Sequence, residues 1–130
     1  MIVDTSVWVD AFREVHTEQT GLVAKYLATD QRIYVTPTII QEVLQGVRMD
    51  DRYTIVKEGI LAQSLLKIDP VEAAIGAADL YRSLRKKGVT IRKPNDCLIA
   101  HYAIFYDIPL LHNDVDFDQI ARHTSLRLAV

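Results

Sequence analysis

The chain has 130 residues, with 49% hydrophobic and 25% charged side chains and a formal net charge of −2. That make-up fits one globular domain over residues 1–130 and excludes a protein that holds polyanions through overall charge. No run of about 18 apolar residues is present, so no membrane span is expected, and the single cysteine, Cys97, rules out an internal disulfide and fits a reducing cytoplasm.

The opening run Met1-Ile2-Val3-Asp4 is too short for a helix and rich in branched residues, as a buried strand is. It has no basic n-region or cleavage site, so no secretory leader is expected. Residues 5–14 then take helical spacing, with Thr5 or Ser6 as the capping residue. A second helix is expected over about 18–28, and residues 32–37 read as a strand ended by Pro37. Thr36 is a natural cap for a third helix over 38–47, because Pro37 is tolerated in a first helical turn. Residues 49–64 predict a helix with acids at its start, as the dipole prefers, and 65–69 a short strand. A long helix over 70–88 is closed by Gly88, and another over 94–107 starts at Pro94 or Asn95. Residues 108–112 predict a strand, 116–123 a helix and 126–130 a final strand. Short apolar strands alternating with helices indicate an α/β fold, with a parallel sheet covered on both faces. In such sheets the active site lies off the carboxyl ends of the strands.

Several acids stand where acids are costly. Asp4 closes the first strand, and Asp114 and Asp116 follow the strand ending in Leu110-Leu111, so all three belong at one rim of a parallel sheet. Asp96 heads an apolar stripe with Ile99, Ala100 and Ala103, and Glu42 borders the face made by Ile39, Ile40, Val43 and Leu44. A carboxylate in such a place needs a compensating cation. One such acid could simply be paired with a basic side chain, but five converging on one rim point to a shared divalent metal. Ligands that are all oxygen select a hard cation, Mg²⁺ or Mn²⁺, over zinc. No histidine pair has zinc-helix spacing; Cys97 and His101 give two ligands at most and read as core or interface residues. Cys97 has no base beside it that would make it a nucleophile.

Other readings of the same acids fit less well. A calcium loop starting at Asp114 needs Gly at its sixth position and Glu at its twelfth, where this chain has Gln119 and Ser125. A haloacid-dehalogenase-like phosphotransferase wants a second Asp two residues after the first, where Ser6 stands. A phospho-receiver domain wants an acidic pair after its first strand, yet Val3 precedes Asp4. A non-catalytic module whose acids hold a structural cation is a further alternative.

The set Asp4-Thr5-Ser6-Val7-Trp8, residues 38–46, residues 95–100 and Asn113-Asp114-Val115-Asp116-Phe117 resembles the PIN-domain family, in order and across essentially the whole chain. More narrowly, it is similar to the VapC-type toxins of toxin–antitoxin pairs. The resemblance implies a three-layer α/β/α sandwich around a mainly parallel sheet and a metal-dependent endoribonuclease acting on tRNA or rRNA. It also implies a cognate VapB-type antitoxin and a homodimer. By the same resemblance Asp4, Glu42, Asp96 and Asp114 match an acidic quartet and Asp116 a frequent fifth acid, while Thr5 and Ser6 match a supporting hydroxyl position. The expected division of labour has Asp4, Asp96 and Asp114 on the principal metal. Glu42 and Asp116 complete a second position or orient the attacking water.

Between Asp79 and Asp96 the basic residues Arg82, Arg85, Lys86, Lys87, Arg92 and Lys93 stand with no acid among them. They read either as a path for RNA phosphates or as a solvated helix end, with Arg92 and Lys93 favoured for RNA because they lead into Asp96. Trp8, Val9 and Phe12 read as core; exposure of Trp8 would instead suggest a groove for an antitoxin tail.

Overall fold

The computed structural model describes residues 1–130. Four two-residue strands form its sheet: β1 (Ile2–Val3), β2 (Tyr34–Val35), β3 (Ser64–Leu65) and β4 (Leu110–Leu111). All pairings are parallel, with Ile2 opposite both Tyr34 and Leu110, and the strand order is β3-β2-β1-β4. The chain therefore lays β2 and β3 to one side of β1 and then crosses to place β4 on the other. Strand order reverses between β1 and β4, and such a reversal opens a crevice beyond the carboxyl ends of the two strands.

Seven helices connect and cover these strands: α1 (Thr5–Phe12), α2 (Glu18–Ala28), α3 (Pro37–Gln45), α4 (Asp50–Leu61), α5 (Pro70–Lys86), α6 (Pro94–Tyr106) and α7 (Val115–His123). Local chemistry accounts for most of their ends. Thr36 accepts the Ile39 N–H ahead of Pro37, as expected of a cap. Gly88 follows α5 with φ +82, the left-handed conformation that terminates a helix at low steric cost. Helix α6 is buried along much of its surface, from Asp96 to Ala103, so it runs through the core rather than over it.

The structure corrects several sequence expectations. Asp4, not Thr5 or Ser6, caps α1, because its carboxylate accepts the Ser6 N–H two residues ahead. Helix α4 stops at Leu61, where Gln63 Nε2 donates to the Gly59 carbonyl, and β3 starts at Ser64 instead of Leu65. The Ser64 and Leu66 N–H groups donate to the carbonyls of Ile33 and Val35, and only two residues then count as strand. The expected final strand is a single parallel bridge between Leu128 and Leu110. It is held by the Leu110 N–H to the Arg127 carbonyl and by the Ala129 N–H to that of Leu110.

Twenty-six buried hydrophobic residues form one core cluster, with Ile2, Val3, Leu110 and Leu111 of the central strands among them. Only four polar or charged residues are buried: Asp4, Thr36, Asp96 and Asp116. Thr36 is accounted for by its cap. The other three are aspartates. No helix is long and apolar enough to cross a membrane.

Candidate metal centre

Three helix starts meet beyond the carboxyl ends of β1 and β4. Asp4 follows β1 and caps α1, Asp114 follows β4 and caps α7, and Asp96 lies in the first turn of α6. The Asp4 N–H donates to the Leu111 carbonyl at 2.9 Å, which ties the ends of the two central strands together. Helix N-termini favour negative charge, so the same backbone geometry that brings these acids together also softens their repulsion.

One carboxylate oxygen from each of Asp96, Asp114 and Asp116 lies within 4.8 Å of the others. Oδ2 of Asp96 and Oδ2 of Asp116 are buried with no hydrogen-bond partner. A buried acceptor without a donor carries its full desolvation penalty, unless something else supplies positive charge. Burial, followed by the charges of Asp4 and Asp114, pushes Asp96 up to about 7. Asp4 is also raised, chiefly by burial, although Ser6 and Thr5 donate hydrogen bonds that oppose the shift. Asp114 is less enclosed: burial raises it, but the Asp116 N–H, Lys93 and Arg92 together bring it below its ordinary value. An oxygen-only donor set of like charges, with Asp96 Oδ2 orphaned and Asp116 Oδ2 met only by Arg92 at 3.6 Å, fits a hard divalent cation.

The remaining expected residues take distinct places. Asp4 borders the trio closely enough for its charge to act on Asp96, while its Oδ2 is engaged by the Ser6 N–H at 3.1 Å and the Ser6 hydroxyl at 2.6 Å. Glu42, half-buried on α3, accepts the Thr5 hydroxyl at 2.9 Å through Oε1. Thr5 therefore links Glu42 to the start of α1, and Ser6 secures Asp4. Trp8 is buried and stacks on Phe12 with ring centroids 5.8 Å apart, so it is a core residue.

The basic run divides. Lys93 Nζ lies 2.9 Å from Asp114 Oδ2, and Arg92 lies 3.9 Å from Asp114 and 3.6 Å from Asp116. Arg85 instead stands over the Tyr81 ring, and Lys87 donates to the His123 carbonyl at the end of α7. Lys86 is exposed on the last turn of α5, where a cation suits the helix dipole.

Sequence reasoning missed His112 and the backbone of Asn113. His112 Nδ1 accepts the Asp114 N–H at 3.0 Å, and its Nε2 stands 3.2 Å from Asp118. The Asn113 N–H donates to the Ser6 hydroxyl at 3.1 Å. A search for zinc-like spacing passes over His112; its place two residues before Asp114 is the only local signal. Cys97 is buried, and burial, with the charges of Asp96 and Asp116, raises its thiol to about 11, which keeps it protonated and inert.

Residues 1–123 match the PIN domain family. The chain is 35% identical over 130 residues to the VapC ribonuclease Mb1587 of Mycobacterium bovis and to Ribonuclease VapC11 of Mycobacterium tuberculosis, covering 99% of this chain and 97% of each relative. Its fold is similar to that seen in VapBC2 from Rickettsia felis bound to a promoter DNA fragment, with TM-score 0.76 and 21% identity over 98% of this chain and 95% of the other. DNA-bound VapBC from Salmonella typhimurium gives the same score and identity over 98% and 94%.

Proposed function

This chain belongs to the PIN-domain family, among its VapC ribonucleases, and from that premise we propose that it is an endoribonuclease dependent on Mg²⁺ or Mn²⁺. The observation that carries the reading is the burial of three aspartates at the strand-order reversal, with Oδ2 of Asp96 left without a partner and Oδ2 of Asp116 facing only the exposed Arg92. Nothing in the apolar core requires those charges; Arg92 and Lys93 offset part of their cost from the rim, and Asp96 and Asp4 have no basic partner, which a cation among them would supply.

Asp96, Asp114 and Asp116 would hold the metal, with Asp4 beside them, directly or through water. When bound, the ion supplies a water acidic enough to attack at neutral pH and a counter-charge for the phosphate. Asp4, held by Ser6 through Oδ2, would ligate the ion or accept a proton at its carboxylate. Glu42, bonded to Thr5 at the start of α1 and outside the acidic trio, would serve a second metal position or orient water. Lys93 and Arg92, exposed beside Asp114 and Asp116, would meet the RNA backbone.

The substrate is cellular RNA, a tRNA or an rRNA loop, cut in the cytoplasm by this single domain, which acts as a homodimer. A VapB-type antitoxin is the neutralising partner. A cleft of about 630 Å³ between α1, α3 and α4, lined by Val9, Phe12, Val43 and Val47 with Arg13 and Arg52, supports docking of its tail.

Cleavage of total RNA by the purified protein should stop with EDTA and return with Mn²⁺ or Mg²⁺. Asp4→Asn and Asp96→Asn should each abolish it while leaving the circular dichroism spectrum unchanged. A folded Asp4→Asn protein that cleaves at the wild-type rate would overturn the assignment, and a metal-dependent rise in Tm without cleavage would mark a binding module instead.

A further inference from the structure

Lys93 occupies the N-cap position of α6, yet it offers no capping hydrogen bond and places a cation at the positive end of the helix. Cap positions favour Asn, Asp and Ser, and helix starts favour anions. Local physics therefore argues against Lys93 here, and Arg92 beside it adds a second cation. The compensation is across the crevice, where Lys93 pairs with Asp114 at 2.9 Å and Arg92 spans Asp114 and Asp116. Buried Ile91 on one side and Pro94 on the other anchor the dipeptide, so its placement is built in. Both side chains are nonetheless open to solvent, 61% for Lys93 and 68% for Arg92, whereas the carboxylates they touch are largely enclosed. With their cations mostly in water, such pairs are weaker than fully buried ones and leave the cation free to exchange partners.

We propose that Lys93 and Arg92 are exchangeable counter-cations of the acidic site. They neutralise Asp114 and Asp116 until a divalent ion takes those carboxylates, then swing outward to hold the RNA backbone beside it. The inference rests on the nuclease reading above and adds a coupling to it: metal loading makes the RNA-binding cations available. The two roles are compatible because the tethered ammonium and guanidinium groups can reach either partner from the same anchored backbone. Phosphate and carboxylate present the same kind of acceptor to these donors.

The test separates this inference from the nuclease assignment, because it measures binding rather than cleavage. Isothermal titration with MnCl₂ should give at least about threefold tighter binding for the Arg92→Gln/Lys93→Gln protein than for the wild type, because two competing charges have gone. Lys93→Arg should retain the wild-type value. Equal or weaker binding by the double variant overturns the proposal, as would a lower Tm with no gain in affinity, the signature of a mere brace for α7. If the wild type itself takes up no Mn²⁺, the metal-centre reading falls as well. In the second arm, a short mixed-sequence oligoribonucleotide is titrated in Ca²⁺. The double variant should bind more weakly, and the slope of log affinity against log salt should shrink by about 0.7 for each phosphate that is no longer neutralised. An unchanged slope overturns the RNA half of the proposal.

Discussion

Ser6 holds Asp4 twice, through its backbone N–H at 3.1 Å and its hydroxyl at 2.6 Å, both to Oδ2. The same hydroxyl accepts the Asn113 N–H, which connects the end of β1 to the turn after β4. Burial raises the Asp4 carboxyl, and both Ser6 bonds oppose that rise. Ser6→Ala keeps the N–H but loses the hydroxyl, a loss of about 1–2 kcal/mol and thus about tenfold in cleavage rate. The defect should deepen towards acid pH, because Asp4 then keeps its proton more tightly; Ser6→Thr should retain most activity. A pH–rate profile of Ser6→Ala superimposing on the wild type would refute this role.

The acidity of Asp96 sets a pH dependence with a definite sign. Its carboxyl titrates at about 7 in the fold, against an ordinary value of 3.8. Between those values the folded chain holds a proton that the unfolded chain has released, so stability falls as pH rises through the window. In EDTA the Tm should accordingly decline from about pH 4 to about pH 7 and level off above it. Asp114, which is lowered, has the opposite sign, and its contribution is lost only at more acid pH, below its ordinary range. Divalent metal binds the ionised carboxylates, so the Tm increase on adding Mg²⁺ should grow with pH. Asp96→Asn should flatten the decline in EDTA and lose most of the metal response. Calorimetric scans that showed stability rising across this window would contradict the Asp96 assignment.

His112 positions Asp114 from behind. Its Nδ1 accepts the Asp114 N–H, so the ring proton resides on Nε2, facing Asp118, and the ring packs 5.3 Å from that of Phe117. His112→Ala should lower Mn²⁺ affinity by about tenfold, as outer-sphere changes do, and cost about 2 kcal/mol of stability. His112→Asn, whose side-chain carbonyl can stand near the Nδ1 position, should lose less of the affinity. Titration calorimetry would decide it: unaltered Mn²⁺ affinity in a folded His112→Ala protein removes His112 from the site.

Gly76 allows α5 and α6 to approach. A Cβ there would fall 2.2 Å from Cε1 and 2.3 Å from Nε2 of His101. Alanine improves helix propensity by about 1 kcal/mol, but the imidazole must move or the helices must part. Gly76→Ala should therefore destabilise by about 1–3 kcal/mol, and His101→Ala in that background should restore much of the loss. Urea denaturation of the four proteins of this cycle gives the coupling directly, and simple additivity would show that the close approach of Gly76 to His101 does not limit the packing.

The acids were legible early because a carboxylate beside an apolar run is conspicuous wherever it falls. The cap at Thr36 and the stop at Gly88 were legible for a related reason: each depends on neighbours a few residues away. The β3 boundary was not, because a two-residue strand has no period to read and its pairing with Ile33 and Val35 is non-local. Asp4 illustrates a different limit. Its place at a strand end marked it as a site residue, which left its second role, as the cap of α1, to be seen only when the Ser6 N–H turned towards it.

Local physics, in the form of capping, alternation and the cost of a buried charge, marks the candidate acids and the elements that carry them within short stretches of chain. How these residues group depends on the fold. Residues 4, 96 and 114 are distant in the chain, and they meet because the sheet is ordered β3-β2-β1-β4, with the reversal between β1 and β4. That order drew Asp116 into the tightest trio and left Asp4 at its border. It also separated one basic run into two cations that face the acids and others that brace helix ends or face solvent. Pairing across a crevice depends on strand order and helix packing, which no short stretch of chain encodes.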